Sequence, residues 1–187
     1  NHSSGKMGYA LATAAQEAGA NVVLISGPVQ LSAPDRVNCI KVESAQQMLE
    51  AVEEKLKGTD IFIGAAAVAD YRPANLATQK IKKNNDEMAI HLVKNPDIIA
   101  TVAAKQDKPF TVGFAAETQD VLAYARGKLE KKNLDMIIAN DVSNQDIGFN
   151  SDDNAIVIID KDQEQEYPQA SKYQLAQQIV AHITKQL

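Results

Sequence analysis

Asp60-Ile61-Phe62-Ile63-Gly64-Ala65-Ala66-Ala67 is a short apolar run that breaks into small residues. Its length and β-branched content read as a strand buried on both faces, as in parallel sheets. Upstream, residues 44–57 have a helical pattern that starts at Ser44, a good N-cap, and stops at Gly58. Before that helix come Asn21-Val22-Val23-Leu24-Ile25-Ser26, halted by Gly27-Pro28, and a second strand candidate over 37–42. Downstream, Phe110-Thr111-Val112-Gly113-Phe114, Leu134-Asp135-Met136-Ile137-Ile138-Ala139 and Asn154-Ala155-Ile156-Val157-Ile158-Ile159 repeat the strand pattern. Helical segments fall at 8–18, which ends at Gly19, at 96–105, with Pro96 in the first turn, at 118–132 and at 171–186. In the last of these, Leu175, Ile179 and Ile183 recur every four residues on one face. Strand–helix alternation of this kind predicts an α/β fold: a Rossmann-like, doubly wound, mostly parallel sheet in one domain over 1–187.

Two places break the rhythm. Residues 70–95 are polar, contain Arg72-Pro73 and carry Lys80-Ile81-Lys82-Lys83 followed by Asn84-Asn85-Asp86. Met88-Ala89-Ile90-His91-Leu92-Val93 then alternates like a two-faced strand. An excursion of this length inside a compact domain reads as a mobile flap or arm. At the other place, Asn1-His2-Ser3-Ser4-Gly5-Lys6-Met7-Gly8 is a loop feeding a helix, where such a fold has a strand before the loop. The expectation is a first strand that belongs to a longer parent polypeptide.

Composition narrows the function classes. With 45% hydrophobic and 23% charged residues, the 187-residue chain is globular. No run approaches the roughly 20 apolar residues of a membrane span, and no signal-peptide pattern opens the chain, so a cytoplasmic location is expected. The net charge of −5 argues against nucleic acid as a partner, and any anion site has to be built locally. Cys39, the only cysteine, reads as a small buried hydrophobe. His2, His91 and His182 have no spacing that suggests a shared metal, and no metal ligands are assigned.

Five groups could carry chemistry; one is Phe114-Ala115-Ala116-Glu117-Thr118, again small residues at a strand end, and each of the other four stands beside a plainer reading. The loop around Gly5 and Gly8 could hold an anion at a helix start, or simply ease a helix cap; it matches neither the Walker A nor the G-x-G-x-x-G spacing. Gly64, Ala65, Ala66 and Ala67 could let a planar ligand lie on the backbone at the sheet's carboxyl edge, with Asp70 on a ribose hydroxyl or a metal-bound water. Tight helix–strand packing needs the same small residues. Lys80, Lys82 and Lys83 could close over a triphosphate, or be a solvated run. Lys128 and Lys132 lie one helical turn apart, which suits either a phosphate or an ordinary charged surface.

Read together, these stretches resemble one family, the phosphopantothenate–cysteine ligases. The resemblance runs in order through Asn1-His2-Ser3-Ser4-Gly5-Lys6-Met7-Gly8, Ala65-Ala66-Ala67-Val68-Ala69-Asp70-Tyr71, Lys80-Ile81-Lys82-Lys83 and Val93-Lys94-Asn95-Pro96-Asp97-Ile98. It continues through Val112-Gly113-Phe114-Ala115-Ala116-Glu117-Thr118, Lys132-Asn133-Leu134-Asp135, Ala139-Asn140-Asp141 and Phe149-Asn150-Ser151-Asp152, covering essentially the whole chain. It implies a homodimer with a flap that closes on a nucleotide. It also implies CTP as co-substrate with Mg2+, and a flavin-dependent decarboxylase fused upstream. The family carries a glycine-rich segment before the Asn-His-Ser-Ser motif that is absent here.

By the same resemblance, Asn1 handles an acyl-cytidylate intermediate and Lys80 is the flap lysine needed for activity. Gly64, Ala65, Ala66, Asp70, Pro96, Asp97, Ile98, Ile99, Phe114, Lys128 and Lys132 match nucleotide-contacting positions, alongside Lys80. Ala66 and Ala67 would present backbone groups to the pantothenate part. The implied reaction joins 4′-phosphopantothenate to L-cysteine. Two alternatives stay open on the residues alone. One is a nicotinamide-dependent reductase, for which Tyr124 and Lys128 have the Tyr-x-x-x-Lys spacing. The other is a noncatalytic nucleotide-sensing module. The residues do not decide CTP against ATP.

Overall fold

The computed structural model describes residues 3–82, 87–117, 120–141 and 152–187, the side chains of 117 and 141 excepted. In chain order the elements are α1 (Lys6–Glu17), β1 (Val23–Ser26), β2 (Asn38–Lys41), α2 (Ala45–Leu56), β3 (Ile61–Gly64), β4 (Tyr71–Pro73) and β5 (Leu92–Lys94). There follow α3 (Ile98–Ala103), β6 (Phe110–Glu117), α4 (Val121–Lys131), β7 (Met136–Asp141), β8 (Asp153–Asp160), β9 (Glu164–Ser171) and α5 (Lys172–Thr184).

Local chemistry sets the boundaries. Ser44 and Ser171 each cap a helix through a reciprocal box with the glutamine three residues on, Gln47 and Gln174. Asp97 caps α3, accepting from the Ala100 N–H at 3.1 Å. Pro96 therefore lies before the cap, not in the first turn. Gly19 and Gly58 adopt φ of 93° and 78° just past α1 and α2, the left-handed conformation that ends a helix.

The central sheet has the order β3-β6-β7-β8-β9. The β3/β6 and β6/β7 pairs are parallel, joined by crossovers that contain α3 and α4. Beyond β7 the sheet turns antiparallel through β8 and β9. The β1/β2 pair is a separate parallel ladder, and β4 pairs with β5 as an antiparallel arm. Of the expected 88–93 strand only Leu92 and Val93 are paired, and the ladder with Tyr71–Pro73 runs on to Lys94.

Side-chain alternation divides the sheet into two faces. Val112, Met136, Ile138, Ile156 and Ile158 meet Leu11 and Ala14 of α1 and Leu175, Ile179 and Ile183 of α5. Ala115, Ile137, Ala139 and Ile159 meet α3 and α4 through Ala103, Ala125 and Leu129. Met136, Ile138, Ile158, Leu175 and Ile179 are completely buried, each worth about 1.5–3 kcal/mol relative to exposure.

The layer is interrupted between β1 and β3. On one face α1 covers both: the Tyr9 hydroxyl meets Ser26 Oγ at 3.0 Å, and Ile61, Ile63 and Ala65 pack on the same cluster as Leu11. On the other face, Val52 of α2 with Ile98 and Val102 of α3 receives both Ile25 and Phe62. Yet among the described residues β1 and β3 share no ladder. The 21–26 segment is accordingly not the buried strand expected from its composition: Val23 is exposed and only Ser26 is buried. Cys39 is likewise half-buried rather than buried, because β2 is an edge strand.

Candidate functional site

Parallel strands present their carboxyl ends at one edge of a sheet, where loops diverge and leave a crevice. Here the crevice is a cleft of about 140 Å³. Residues 3–8 form one wall and 64–67 another, with Phe114, Ala116, Asn140, Asn154 and Lys172 completing it. A wider, shallower depression of about 560 Å³ on α5 and β9 is lined by glutamines and alanines and offers no catalytic group.

The small residues earn their positions by close approach. A Cβ on Gly64 would stand 3.1 Å from Ile99 Cδ1, and one on Gly113 would stand 2.8 Å from Leu134 Cδ1 and 3.0 Å from Ile99 Cδ1. Packing this tight brings α3 down onto the strands beneath the cleft. Gly5 precedes α1 at φ 76° with no side-chain cap, and Val29 Cγ1 would lie 2.9 Å from a Cβ there. The Lys6 N–H donates to Ser4 Oγ at 3.5 Å, and the positive end of the α1 dipole at this wall favours negative charge.

Strand alternation accounts for the polar lining. Phe114 and Ala116 continue the parity of Val112, and Asn140 that of Ile138, so these residues reach the α1/α5 face where the strands end. Asn154 is the second residue of the antiparallel β8 and therefore arrives at the same edge, 1% exposed. Asn140 Oδ1 is buried and, among the described residues, has no hydrogen-bond partner. A buried orphan acceptor costs about 1–3 kcal/mol. A ligand hydroxyl or N–H entering the cleft would remove that cost.

Lysines supply the positive charge. Lys6 Nζ contacts Asp152 Oδ1 at 2.6 Å, and this ion pair holds the exposed Asp152 carboxyl below its ordinary range. Lys172, 7% exposed, donates its backbone N–H to the Asp152 carbonyl at 2.9 Å. Burial pulls the Lys172 ammonium below the usual lysine range, and neighbouring Lys6 adds to the effect against the opposing Asp152.

The structure brings some of the expected residues together and separates others. Gly64, Ala65, Ala66, Ala67 and Phe114 line the cleft. Asp97 and Lys132 pair at 2.8 Å, tying the start of α3 to the end of α4. Burial pushes the Asp97 carboxyl up, but hydrogen bonds from Lys132 and from the Ala100 N–H outweigh it and hold it low. Ile98 is buried with Val52 and Val102, and Ile99 packs against the two glycines, so a ligand would meet 96–99 mainly at its backbone. Lys128 is half-buried on α4, on the opposite face of the sheet from α1 and α5.

Asp70 and Lys80 are exposed on the arm and do not line the cleft. The arm's base is fastened by Asn95, whose N–H donates to the Asp70 carbonyl at 2.8 Å and whose Nδ2 donates to the Ala69 carbonyl at 2.8 Å. Arg72 donates to the Lys94 carbonyl at 2.7 Å. Tyr124, the reductase alternative's tyrosine, is 58% exposed and outside the cleft. Asn1, His2, Lys83, Thr118 and the Phe149-Asn150-Ser151 part of the last motif lie outside the described residues.

Asn154 and Lys172 were not singled out from sequence. Lys172 follows an N-cap serine in a polar stretch, and only the fold shows that α5 starts at the cleft. No group of three His, Cys, Asp or Glu side chains that could hold a metal is present among the described residues.

Comparison with known proteins agrees with this layout. The model of the DNA/pantothenate metabolism flavoprotein C-terminal domain matches residues 1–187. The chain is 58% identical over 186 residues to the coenzyme A biosynthesis bifunctional protein CoaBC of Vibrio vulnificus, covering 98% of this chain and 46% of the relative. It is 51% identical over 187 residues to the CoaBC protein of Escherichia coli, again covering 98% and 46%. The chain thus spans about half the length of the curated relatives it matches. Among solved structures, the C-terminal domain of a CoaBC protein superposes with a TM-score of 0.82 at 41% identity, covering 98% of this chain and 83% of that one. The DNA/pantothenate metabolism flavoprotein from Streptococcus pneumoniae gives 0.83 at 25%, covering 100% and 90%.

Proposed function

The chain belongs to the DNA/pantothenate metabolism flavoprotein C-terminal domain family, and on that premise we propose that it is the ligase that joins 4′-phosphopantothenate to L-cysteine in coenzyme A biosynthesis. The observation that carries the reading is the cleft itself: the family-wide match over 1–187 coincides with a crevice at the carboxyl edge of β3, β6 and β7. CTP is the co-substrate in this reading, and the reductase alternative is set aside because Tyr124 stands outside the cleft.

A carboxylate is a poor electrophile and must be activated before an amine can attack it. An oxygen of the substrate carboxylate attacks the α-phosphorus of CTP, the bond to pyrophosphate breaks, and an acyl-cytidylate forms. The cysteine amine then attacks the acyl carbon, the acyl–phosphate C–O bond breaks, CMP leaves and the amine loses its proton. The chain's contribution is positioning and electrostatics. Gly64, Ala65, Ala66, Asp70, residues 96–99, Phe114, Lys128 and Lys132 hold the nucleotide, and Lys80 on the arm closes over its phosphates. Ala66 and Ala67 hold the pantothenate part. Asn1, two residues before Ser3 of the cleft wall, orients the acyl carbonyl for the amine. Magnesium, when bound with the nucleotide, would offset the negative charge that builds on the departing pyrophosphate.

Three wider assignments belong to the same proposal. Residues preceding Asn1 contribute a further strand and lead to a flavin-dependent decarboxylase, consistent with the word bifunctional in the relatives' name. A homodimer forms with the arm as contact: Tyr71, Leu76, Ile81, Met88, Ile90 and Leu92 are all more than half exposed there, a density of apolar surface that favours association. The location is cytoplasmic, and no helix among the described residues is long and apolar enough to cross a membrane.

Pyrophosphate release tests the reading directly, with magnesium, 4′-phosphopantothenate and cysteine, comparing CTP with ATP. Release that requires 4′-phosphopantothenate and prefers CTP is expected. Absence of release with either nucleotide from the full-length protein would overturn the assignment.

A further inference from the structure

The arm leaves the domain through a narrow neck. Its ladder pairs Tyr71–Pro73 with Leu92–Lys94 and is continued by one bond, from the Ala74 N–H to the His91 carbonyl at 2.9 Å. A two-stranded ribbon this short is marginal on its own, and Tyr71 and Leu92 are more than half exposed, so little packing steadies it. One carboxamide sits at the root of the neck. Asn95 Nδ2 donates to the Ala69 carbonyl at 2.8 Å, and Asn95 Oδ1 accepts from Arg72 Nη1 at 3.1 Å. The same Arg72 nitrogen donates to the Lys94 carbonyl at 2.7 Å. A carbonyl only accepts and a guanidinium only donates, so the position calls for a short side chain with one donor and one acceptor. Aspartate lacks the donor, and alanine lacks both.

This clasp joins segments that the ligase reading assigns to substrate. Ala69 follows residues 64–67, a wall of the cleft, and Asp97, two residues beyond Asn95, caps α3. Asn95 itself does not line the cleft. It therefore acts through what it holds: the loop ending at Asp70 on one side and the stretch 96–99 on the other. Lys80 is exposed on the arm, seven residues past Pro73. At about 3.3 Å per residue, that gives a lever of up to about 20 Å. A tilt of about 10° at the neck then moves the tip by about 4 Å, which is far outside the tolerance of a phosphate contact.

We propose that Asn95, with Arg72, is a positioning residue for the ligation: its carboxamide locks the neck of the arm to the 64–70 loop, keeping the two nucleotide-holding stretches in register and aiming Lys80 at the phosphates. The inference rests on the ligase reading above and deepens it.

The test is steady-state pyrophosphate release by the full-length protein, with CTP and cysteine varied in turn, for the native protein, N95A, R72A and the double variant. N95A keeps the backbone bond from the Asn95 N–H to the Asp70 carbonyl and removes only the two side-chain bonds. It should raise the KM for CTP about tenfold and lower kcat about tenfold, with the KM for cysteine changed less than about threefold. R72A should shift the same constants in the same direction, a result that stands even if N95A fails to fold. The double variant should be no more than about twofold worse than N95A, because both side chains serve one clasp. The melting temperature should stay within about 2 °C of native in every folded variant, since the clasp lies outside the core. Unchanged constants in N95A or, where that variant is unfolded, in R72A would overturn the proposal and leave the ligase reading intact. Equal rises in the KM for CTP and for cysteine, or a loss of activity that tracks a lowered melting temperature, would also overturn it, by reducing the clasp to a support of the fold. No release by the native protein would overturn both.

Discussion

Asp160 shows how much one side chain can organise away from the cleft. It ends β8, 4% exposed, and its carboxylate accepts from the N–H groups of Asp162 and Gln163 at 2.9 Å each, closing the turn into β9. It also meets His182 Nε2 of the last helix and Gln186 Nε2 just beyond it, at 3.3 Å each. Burial pushes this carboxyl up, but the two backbone hydrogen bonds, with His182 and Gln163, outweigh it and hold it below the ordinary range. A carboxyl depressed in the folded state adds stability that is fully present above the unfolded value of about 3.9 and is lost as pH falls through the lower folded value. D160N should therefore be less stable by about 1–3 kcal/mol at neutral pH, and its urea midpoint should fall less steeply than that of the native protein below pH 4. An unchanged acid slope would remove Asp160 from that account. At this scale the pairing of His182 with Asp160 was not legible in the sequence, because an acid at a strand end looks like any solvated turn residue. It also reached Gly64, Ala65, Ala66, Ala67 and Phe114, since small residues and an aromatic after apolar strands carry their own signal. It missed Lys172 and Asn154, whose relevance comes only from where α5 and β8 begin.

Among the elements, those with strong local chemistry were legible and those held by tertiary contacts were not. The helices near 44–57 and 171–186 were readable because a serine cap with a glutamine three residues on, and an apolar stripe, speak without context. β9 was not anticipated. Its sequence, Glu164-Gln165-Glu166-Tyr167-Pro168-Gln169-Ala170-Ser171, has no apolar alternation, and it is a strand because β8 offers an open edge. Pro168 is tolerated there since an edge strand can lose an outward N–H. The contact of α3 with the sheet was partly readable, in that small residues at 64 and 113 permit close packing, but its partners were not. G113A should test that contact. The added methyl meets Leu134 Cδ1 and Ile99 Cδ1 inside ordinary contact distance, from an interior strand with little room to yield. A loss of about 1–3 kcal/mol in chemical denaturation is expected. A variant as stable as the native protein would mean that α3 moves away from the sheet more easily than this packing implies.

For the whole molecule, the gap between β1 and β3 governs how the domain holds together. Helices pack across it on both faces, through α1 on one side and α2 with α3 on the other, while the strands beneath are not hydrogen-bonded to each other among the described residues. Ile61, Phe62 and Ile63 of β3 are half-buried, although interior residues of β6 and β7 such as Val112 and Met136 are completely buried. That difference is expected if one more parallel strand belongs between β1 and β3, with apolar side chains on both faces and its carboxyl end leading into residues 3–5. A chain extended upstream through that strand should form ladders to both neighbours and complete the burial of Leu24, Ile25, Ile61, Phe62 and Ile63. Recovering even half the burial value of each gives about 5 kcal/mol in total. The comparison to make is urea denaturation of the 187-residue chain against the extended one, with amide hydrogen exchange followed at 23–26 and 61–64. Higher stability with slowed exchange at both stretches supports the filled slot. Equal stability and equal exchange would mean that the helices alone close this part of the layer, and that the half-burial of β3 is its finished state.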